Sequence, residues 1–460
     1  METKNNPQKN IILLVTTIGS FLTPFMGSTI NIALPAVGRE FNMNALMLSW
    51  VPTSYLLAAA MSLVPIGRIA DITGRQRIFF YGVIIFGIFS LFGGLANNQI
   101  LFMTCRVLQG IGGAMIFGTA VAILTSAFPA NQRGRVLGIN VSGVYLGLSL
   151  GPFLGGLLTQ QLGWRSIFYV NACLGFLMLF LMWGFLKIEK PTSTNNQFDY
   201  LGTIIYSPML FFIMYGFSLL PGISGAMMII FGIFLTFIFI KWELKASIPL
   251  LNINLFKLNP IFFFSNIAAL INYSATNAIA FLLSLYLQYI KGYSPQNAGI
   301  ILIAQPVTMT ILSPLAGKLS DRIQPAIITS IGMGLTATGL FLLNFLQNTS
   351  SINIIILNLI MLGLGFALFS SPNTNAVMSS VEKEYYGIAS STLATMRMLG
   401  QMSSMGIVMF IFSLTLGRVK IIPEIYPLFL QSIKSTFIIF TALCIIGIFA
   451  SLKRGRIKRD

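Results

Sequence analysis

The chain has 460 residues, of which 55% are hydrophobic and 8% charged, with a formal net charge of +17 and no histidine. Soluble domains carry about 45 to 50% apolar and about 25% charged residues, so a water-soluble fold is excluded. The basic residues are spread over short loops and the tail rather than gathered in a soluble domain, which also argues against nucleic acid as a partner.

Apolar runs of about 20 residues, long enough to cross a bilayer, are read here as spans. They fall near 11–35, 46–70, 77–96, 99–128, 133–161 and 164–187, which makes one six-helix half. The first is too long for a cleaved signal sequence and reads as a retained span. After a polar segment, Glu189 to Asp199, come runs near 200–219 and 222–242 parted only by Pro221 and Gly222, the pattern of an inserted hairpin. The second half follows near 259–290, 294–317, 325–346, 351–378, 385–415 and 432–452, for fourteen spans in all. The expected division is 1–187 for the first half, 188–258 for the linker with its hairpin, and 259–460 for the second half with a basic tail. The stretch Ala246 to Pro260 suits either a short interfacial helix or an irregular loop.

Lysine and arginine alternate in phase with the loops. Lys4, Lys9, Arg68, Arg75, Arg77, Arg133, Arg135, Lys187, Lys190, Lys241, Lys245, Lys257, Lys318, Arg322, Lys383 and the run Lys453 to Arg459 fall on the side of both termini. Arg39, Arg165, Lys291, Arg418, Lys420 and Lys434 fall on the other. By the positive-inside rule both termini are cytoplasmic in a plasma-membrane protein, with lipid headgroups as further contacts of the basic side. Cys105, Cys173 and Cys444 lie in apolar runs without metal spacing and are expected as buried thiols, with no disulfide, metal or cofactor.

Two stretches repeat. GRIADITGRQR, Gly67 to Arg77, reads as a tight loop between spans two and three, with Asp71 as its one carboxylate. A shorter copy, GKLSDR, Gly317 to Arg322, returns 250 residues on, which suggests an internally repeated transporter. Within span four, Arg106 and Gln109 share a face. An arginine at mid-span costs about 2.5 to 3.5 kcal/mol on insertion scales, so it requires a cavity or a polar partner. Arg397 is a second core cation, in span thirteen. Other polar residues inside spans include Asn31, Gln288 and Gln305. In span five Gly143, Gly147, Gly151 and Gly155 recur every four residues and make a groove for a neighbouring backbone, beside Pro152 and Gly156. Every acidic residue lies in a loop, a terminus or a span end, so the membrane interior holds no carboxylate.

These features together resemble a major facilitator superfamily transporter of the fourteen-span drug:proton antiporter branch, from about Asn10 to Ser451. Gly67, Asp71, Gly74, Arg75 and Arg77 match the family's loop after span two, with Ile72 in place of the usual arginine. Gln288, Gly292, Ser294, Pro295, Gly299, Pro306, Pro314, Gly317, Asp321 and Arg322 match the second half of the branch, although Gln324 and Pro325 depart from it. Arg106, Gln109 and Gly110 match the span-four motif, and the span-five glycines match the antiporter motif. Asn31, Ala33, Leu34 and Pro35 match the end of span one, where Met26 stands in the place of the branch's common membrane aspartate. The resemblance implies an all-α integral membrane protein, two six-helix halves plus a hairpin, that exports amphiphilic small molecules by alternating access, with a proton as coupling ion and no need of an oligomer. It implies a cytoplasmic latch at the two Asp loops, with Asp71 reaching the positive N-terminus of span thirteen, and a coupling or substrate role for Arg106. It also implies that the span-five glycines make a tight cytoplasmic closure. Two cationic residues without a core acid would equally suit an anionic or lipid-like solute, and a non-transporting sensor or scaffold is a third reading.

Overall fold

The computed structural model describes residues 7–185, 198–246, 249–251, 253–382 and 385–455. The first boundary of the expected division, with Lys187, Glu189 and Lys190, lies outside the described residues, as do Lys4, Lys383 and Arg456 to Arg459 of the basic clusters. Fourteen helices are long and apolar enough to cross a membrane, and no strand occurs among the described residues. Spans one to six are Gln8–Glu40, Ala45–Thr73, Arg75–Leu95, Gln99–Ala127, Gln132–Leu162 and Arg165–Trp183. Spans seven and eight are Tyr200–Leu219 and Ile223–Glu243. Spans nine to fourteen are Pro260–Ile290, Pro295–Ser320, Pro325–Leu343, Ile352–Ser379, Tyr386–Thr415 and Pro423–Lys453. A six-residue helix, Ile253–Leu258, precedes span nine and stacks Phe256 against Phe262.

Here the end of the bundle holding Gly74, Asp321 and both described chain ends is called proximal, and the opposite end distal. Packing repeats between the halves with an offset of eight: one against five, two against four, three against four and six recur as nine against thirteen, ten against twelve, eleven against twelve and fourteen. The halves then meet reciprocally, span two on thirteen and span five on ten. This is the two-fold repetition that the duplicated Asp loops suggested.

Several spans depart from the sequence reading. The Gly67 to Arg77 stretch is no loop: the helix of span two continues through Thr73, and only Gly74, at φ 111°, breaks it before Arg75 starts the next. In a membrane a glycine such as Gly67 leaves every backbone bond satisfied inside the helix, so only the residue that must turn the chain needs the left-handed region. The Gly317 copy is likewise helical to Ser320, and a turn at Asp321 leads to Pro325. Span fourteen starts earlier than read, at Pro423 rather than near 432, so Lys434 lies well inside it rather than at its edge. Cys173 is exposed on the outside of span six, while Cys105 and Cys444 are buried.

Span nine is one span in three pieces, Pro260–Thr276, Ile279–Leu285 and a π-helical turn Tyr286–Ile290. The backbone group freed at its break is taken up by span thirteen, where Ala278 N–H donates to Ser404 Oγ at 3.0 Å, and the Asn277 side chain adds a bond from Nδ2 to the Gln401 carbonyl at 3.4 Å. Proline plays a related part. Pro65 has no N–H, so the Met61 carbonyl one turn back lacks its helical donor, and Ser207 Oγ of span seven supplies one at 3.2 Å. Tyr206 donates to the adjoining Ala60 carbonyl at 3.1 Å, and Met214 and Phe217 lie against the bare face of Gly406 in span thirteen. Span seven therefore lies over the seam between spans two and thirteen. Span eight packs on span seven and is otherwise largely uncovered.

Candidate functional site

Arg106 is 1% exposed, inside the first half. Its Nε donates to the Val51 carbonyl at 3.2 Å, one Nη donates to Gln109 Oε1, and the guanidinium stands 4.7 Å from the centre of the Tyr55 ring. Gln109 in turn donates to Ser90 at 2.7 Å. Of the two settings expected for Arg106, a cavity or a polar partner, this geometry supplies polar partners, which Gln109 shares. Spans two, three and four enclose both, and their polar partners are a carbonyl, an amide, a hydroxyl and an aromatic face. Glycines explain the closeness, since a Cβ on Gly110 would strike the Tyr55 carbonyl and one on Gly113 the Tyr55 hydroxyl.

Arg397 is placed differently. It lies eleven residues into span thirteen, about 16 Å along the helix, and is half-buried. One Nη donates to Thr374 Oγ1 at 2.5 Å and the guanidinium lies 5.7 Å from the Tyr273 ring centre. Its Nε is buried with no acceptor, and its other Nη has none among the described residues. Its neighbours Ala394 and Met398 pack against Ala59, Leu63, Ala114 and Phe117 of the first half, so the arginine stands where spans nine, twelve and thirteen meet spans two and four. Gln305 is half-buried at the break in span ten, and its carbonyl sits 2.5 Å from where a Cβ of Gly363 would be.

Asn31 and Gln288 belong to a seam instead. Pro35 strips the Asn31 carbonyl of its helical donor, and Ser284 of span nine donates to it at 2.7 Å. Gln288, in the π-helical turn, donates to the Ile32 carbonyl at 2.9 Å and to Ser284 at 3.0 Å. Asn31 Oδ1 is buried without a partner. Between described residues, the other hydrogen bonds crossing from the first half to the second are Ser149 with Thr310 at 3.0 Å, Gln296 N–H to Gln160 at 3.2 Å, Ala45 N–H to the Val419 carbonyl at 3.0 Å and Lys420 to Asn42 at 3.3 Å. All lie from mid-span to the distal end.

The span-five glycines divide between two neighbours. Gly143, Gly147, Gly151 and Gly155 face span one, where a Cβ would come within 2.9 Å of the Thr17 carbonyl, 2.5 Å of the Phe21 carbonyl, against Ser28, and within 2.9 Å of Thr29 Cα. Gly156 faces the other half, where a Cβ would come within 2.5 Å of the Pro295 carbonyl, and a Cβ on Gly299 of span ten would strike the Pro152 carbonyl in return. The motif thus packs span one along its length and closes the seam with span ten at its distal end.

A family model described as Major Facilitator Superfamily matches residues 16–405 and 265–459. The chain belongs to the Major Facilitator Superfamily. Among its relatives are the riboflavin transporter RibZ of Clostridioides difficile (strain 630), 31% identical over 85% of this chain and 86% of that protein, and two proteins with multidrug names. These are the multidrug resistance protein Stp of Mycobacterium tuberculosis and the multidrug transporter protein MdtP of Bacillus subtilis, each 30% identical over 86% of this chain and 74% of theirs. A bacterial homologue of the human lysosomal transporter Spinster, solved in an inward-facing and unoccupied conformation, shares the fold at a TM-score of 0.72 and 16% identity over 98% of both chains. The protein is accordingly a membrane transporter rather than an enzyme.

The proximal motif of this major facilitator chain is also resolved. Asp71, in the last turn of span two, pairs across Gly74 with Arg75 at 2.8 Å, so among the described residues its carboxylate is held by the start of span three rather than by that of span thirteen. Arg77 is exposed in the first turn of span three. Asp321 accepts from Asn375 Nδ2 at 3.3 Å, and Ser320 accepts from the same amide at 2.9 Å. Gly317 permits the approach of Ser371, whose Oγ would be 2.8 Å from a Cβ there, whereas Gly67 has nothing within 4 Å. Ser90, Tyr55, Tyr273, Thr374 and Ser284 were not singled out from sequence. Each is an ordinary residue type whose role comes from a partner on another span.

Proposed function

We propose that this transporter exports amphiphilic small molecules across the plasma membrane, driven by protons, with both termini in the cytoplasm. The observation that carries the reading is the distal seam: the Asn31 carbonyl freed by Pro35, the Gly156 and Gly299 approach and the Ser149 to Thr310 bond close one end of a two-fold bundle, while the half-buried Arg397 stands behind that closure. Alternating access requires two closures that exclude each other. In this scheme residues 1–187 and 259–460 rock against each other and 188–258 carries the hairpin. Asp71 and Asp321, with Arg75, Arg77 and Arg322 around them, form the proximal latch that tightens when the distal seam opens. The names of two relatives, a multidrug resistance protein and a multidrug transporter protein, support export. Arg106, sealed among spans two to four, serves to hold the first half rigid as it rocks.

The test is flux in proteoliposomes, with a panel of neutral, anionic and cationic amphiphiles and an imposed pH gradient. Proton-dependent movement of at least one class is expected. A protein that binds members of the panel but moves none, under any gradient, would end the proposal.

A further inference from the structure

Arg397 is more than a second core cation. Its guanidinium is fixed at two points, by the Thr374 hydroxyl at 2.5 Å and by the Tyr273 ring, and Phe366 meets that ring edge-on at 5.4 Å. What is left over is the buried Nε and one Nη, neither of which donates to anything among the described residues, on a half-buried side chain eleven residues into a helix of 30. A guanidinium so held is a preorganised donor, which loses little freedom when an acceptor arrives. Every described carboxylate lies at a helix end or in a loop, and none of them pairs with Arg397. Arg106 makes the contrast plain: it is of the same type and equally without an acid, yet its own half encloses it.

We propose that Arg397, braced by Thr374 and flanked by Tyr273 and Phe366, is the substrate-selecting residue, and that it binds an anionic oxygen carried on a planar aromatic body. The free Nη supplies a charge-assisted hydrogen bond to the oxygen, and the paired rings supply a face for the aromatic part. The ligand also serves as the counter-ion that the membrane interior lacks. A quaternary ammonium of the same shape meets an uncompensated positive charge and is rejected. The proposal rests on the transport reading only in taking the space beside Arg397 as the substrate's place.

Three probes of one ring test it: 2-naphthoate, 2-naphthamide and (2-naphthylmethyl)trimethylammonium, each bound to the protein in nanodiscs and read by equilibrium dialysis. Wild-type protein should hold the carboxylate at least tenfold more tightly than the ammonium, with the amide between them. Arg397→Gln should lose tenfold or more for the carboxylate and gain or hold for the ammonium. Equal binding of all three by the wild type, or unchanged carboxylate binding by Arg397→Gln, overturns the inference. Should Arg397→Gln fail to fold by gel filtration, Arg397→Lys and Thr374→Val decide: the first keeps charge without the planar fork and the second frees the fork. Each should cost about threefold to tenfold for the carboxylate, and wild-type affinity in both overturns the inference. Flux is read separately. Selective binding of 2-naphthoate without transport of any probe ends the transport reading and leaves this one standing, whereas transport without selectivity does the reverse.

Discussion

Adding one methyl group at Gly156 should move the conformational equilibrium of the whole protein. A Cβ there would lie 2.5 Å from the Pro295 carbonyl oxygen and 3.0 Å from Gln296 Cα, both backbone atoms of the opposite half, where ordinary contact begins at 3.4 Å. No side chain can swing away, so spans five and ten must part by about 0.9 Å. Overpacking of this kind costs about 1 to 3 kcal/mol. The cost falls only on the conformation in which the distal seam is shut, so Gly156→Ala should shift the population toward the distally open form by about 5- to 150-fold. Spin labels at Gln161 and Asn297, both exposed at the distal ends of those spans, would read the change by pulsed EPR as a new, longer distance. Gly155→Ala is the control, because its Cβ would meet Thr29 Cα at 2.9 Å within one half and should lower stability without moving the labels apart. If the two variants give the same distance distribution, the seam is ordinary packing and the reasoning fails.

The remaining expectations concern the latch, the hairpin and the topology. Asp71→Asn breaks an ion pair whose side chains are 41% and 42% exposed, worth about 0 to 1 kcal/mol, so insertion and melting should hardly change while transport slows. Transport at the wild-type rate would reduce the loop to a topology signal. Asp321→Asn should be milder, since its bond to Asn375 is long at 3.3 Å. Ser207→Ala combined with Tyr206→Phe removes two hydrogen bonds from span seven to span two, each worth about 0.6 kcal/mol on average in membranes, and should lower the unfolding temperature without altering insertion. An unchanged melt would mean that apolar contact alone holds the hairpin. Single cysteines at Asn97 and Gly222 should react with an impermeant thiol reagent applied to intact cells, and one at Gln324 should not. The reverse pattern would invert the orientation.

The membrane makes some of this architecture legible and hides the rest. A span needs about 20 apolar residues whatever it packs against, so the fourteen helices and the hairpin stand out in the sequence to within a few residues, span fourteen excepted. Glycine is a poorer guide here than in water. Gly67 and Gly317 look like turn residues, yet with no water to take up freed backbone groups the helix continues through both and turns only where Gly74 and Asp321 to Gln324 stand. Arg106 and Arg397 read alike in sequence, each a cation with a glutamine one turn away. What separates them is the Tyr55 ring and Val51 carbonyl on span two in one case and the Thr374 hydroxyl on span twelve in the other, partners that no local spacing reveals. Pro35 and Pro65 announce that a carbonyl will be left over, but not that Ser284 and Ser207 will collect it.

Span seven has a consequence for how a solute dissolved in the lipid reaches the interior. A two-fold bundle of this kind presents two side doors, one where span two meets thirteen and one where span five meets ten. The inserted hairpin lies across the first, tied to the Ala60 and Met61 carbonyls and seated against Gly406, so an acyl-like molecule approaching from that flank meets another helix. No described helix covers the second door. A solute held in the lipid therefore finds the two flanks unequal, a further helix backing the one between spans two and thirteen and no described helix backing the one between spans five and ten.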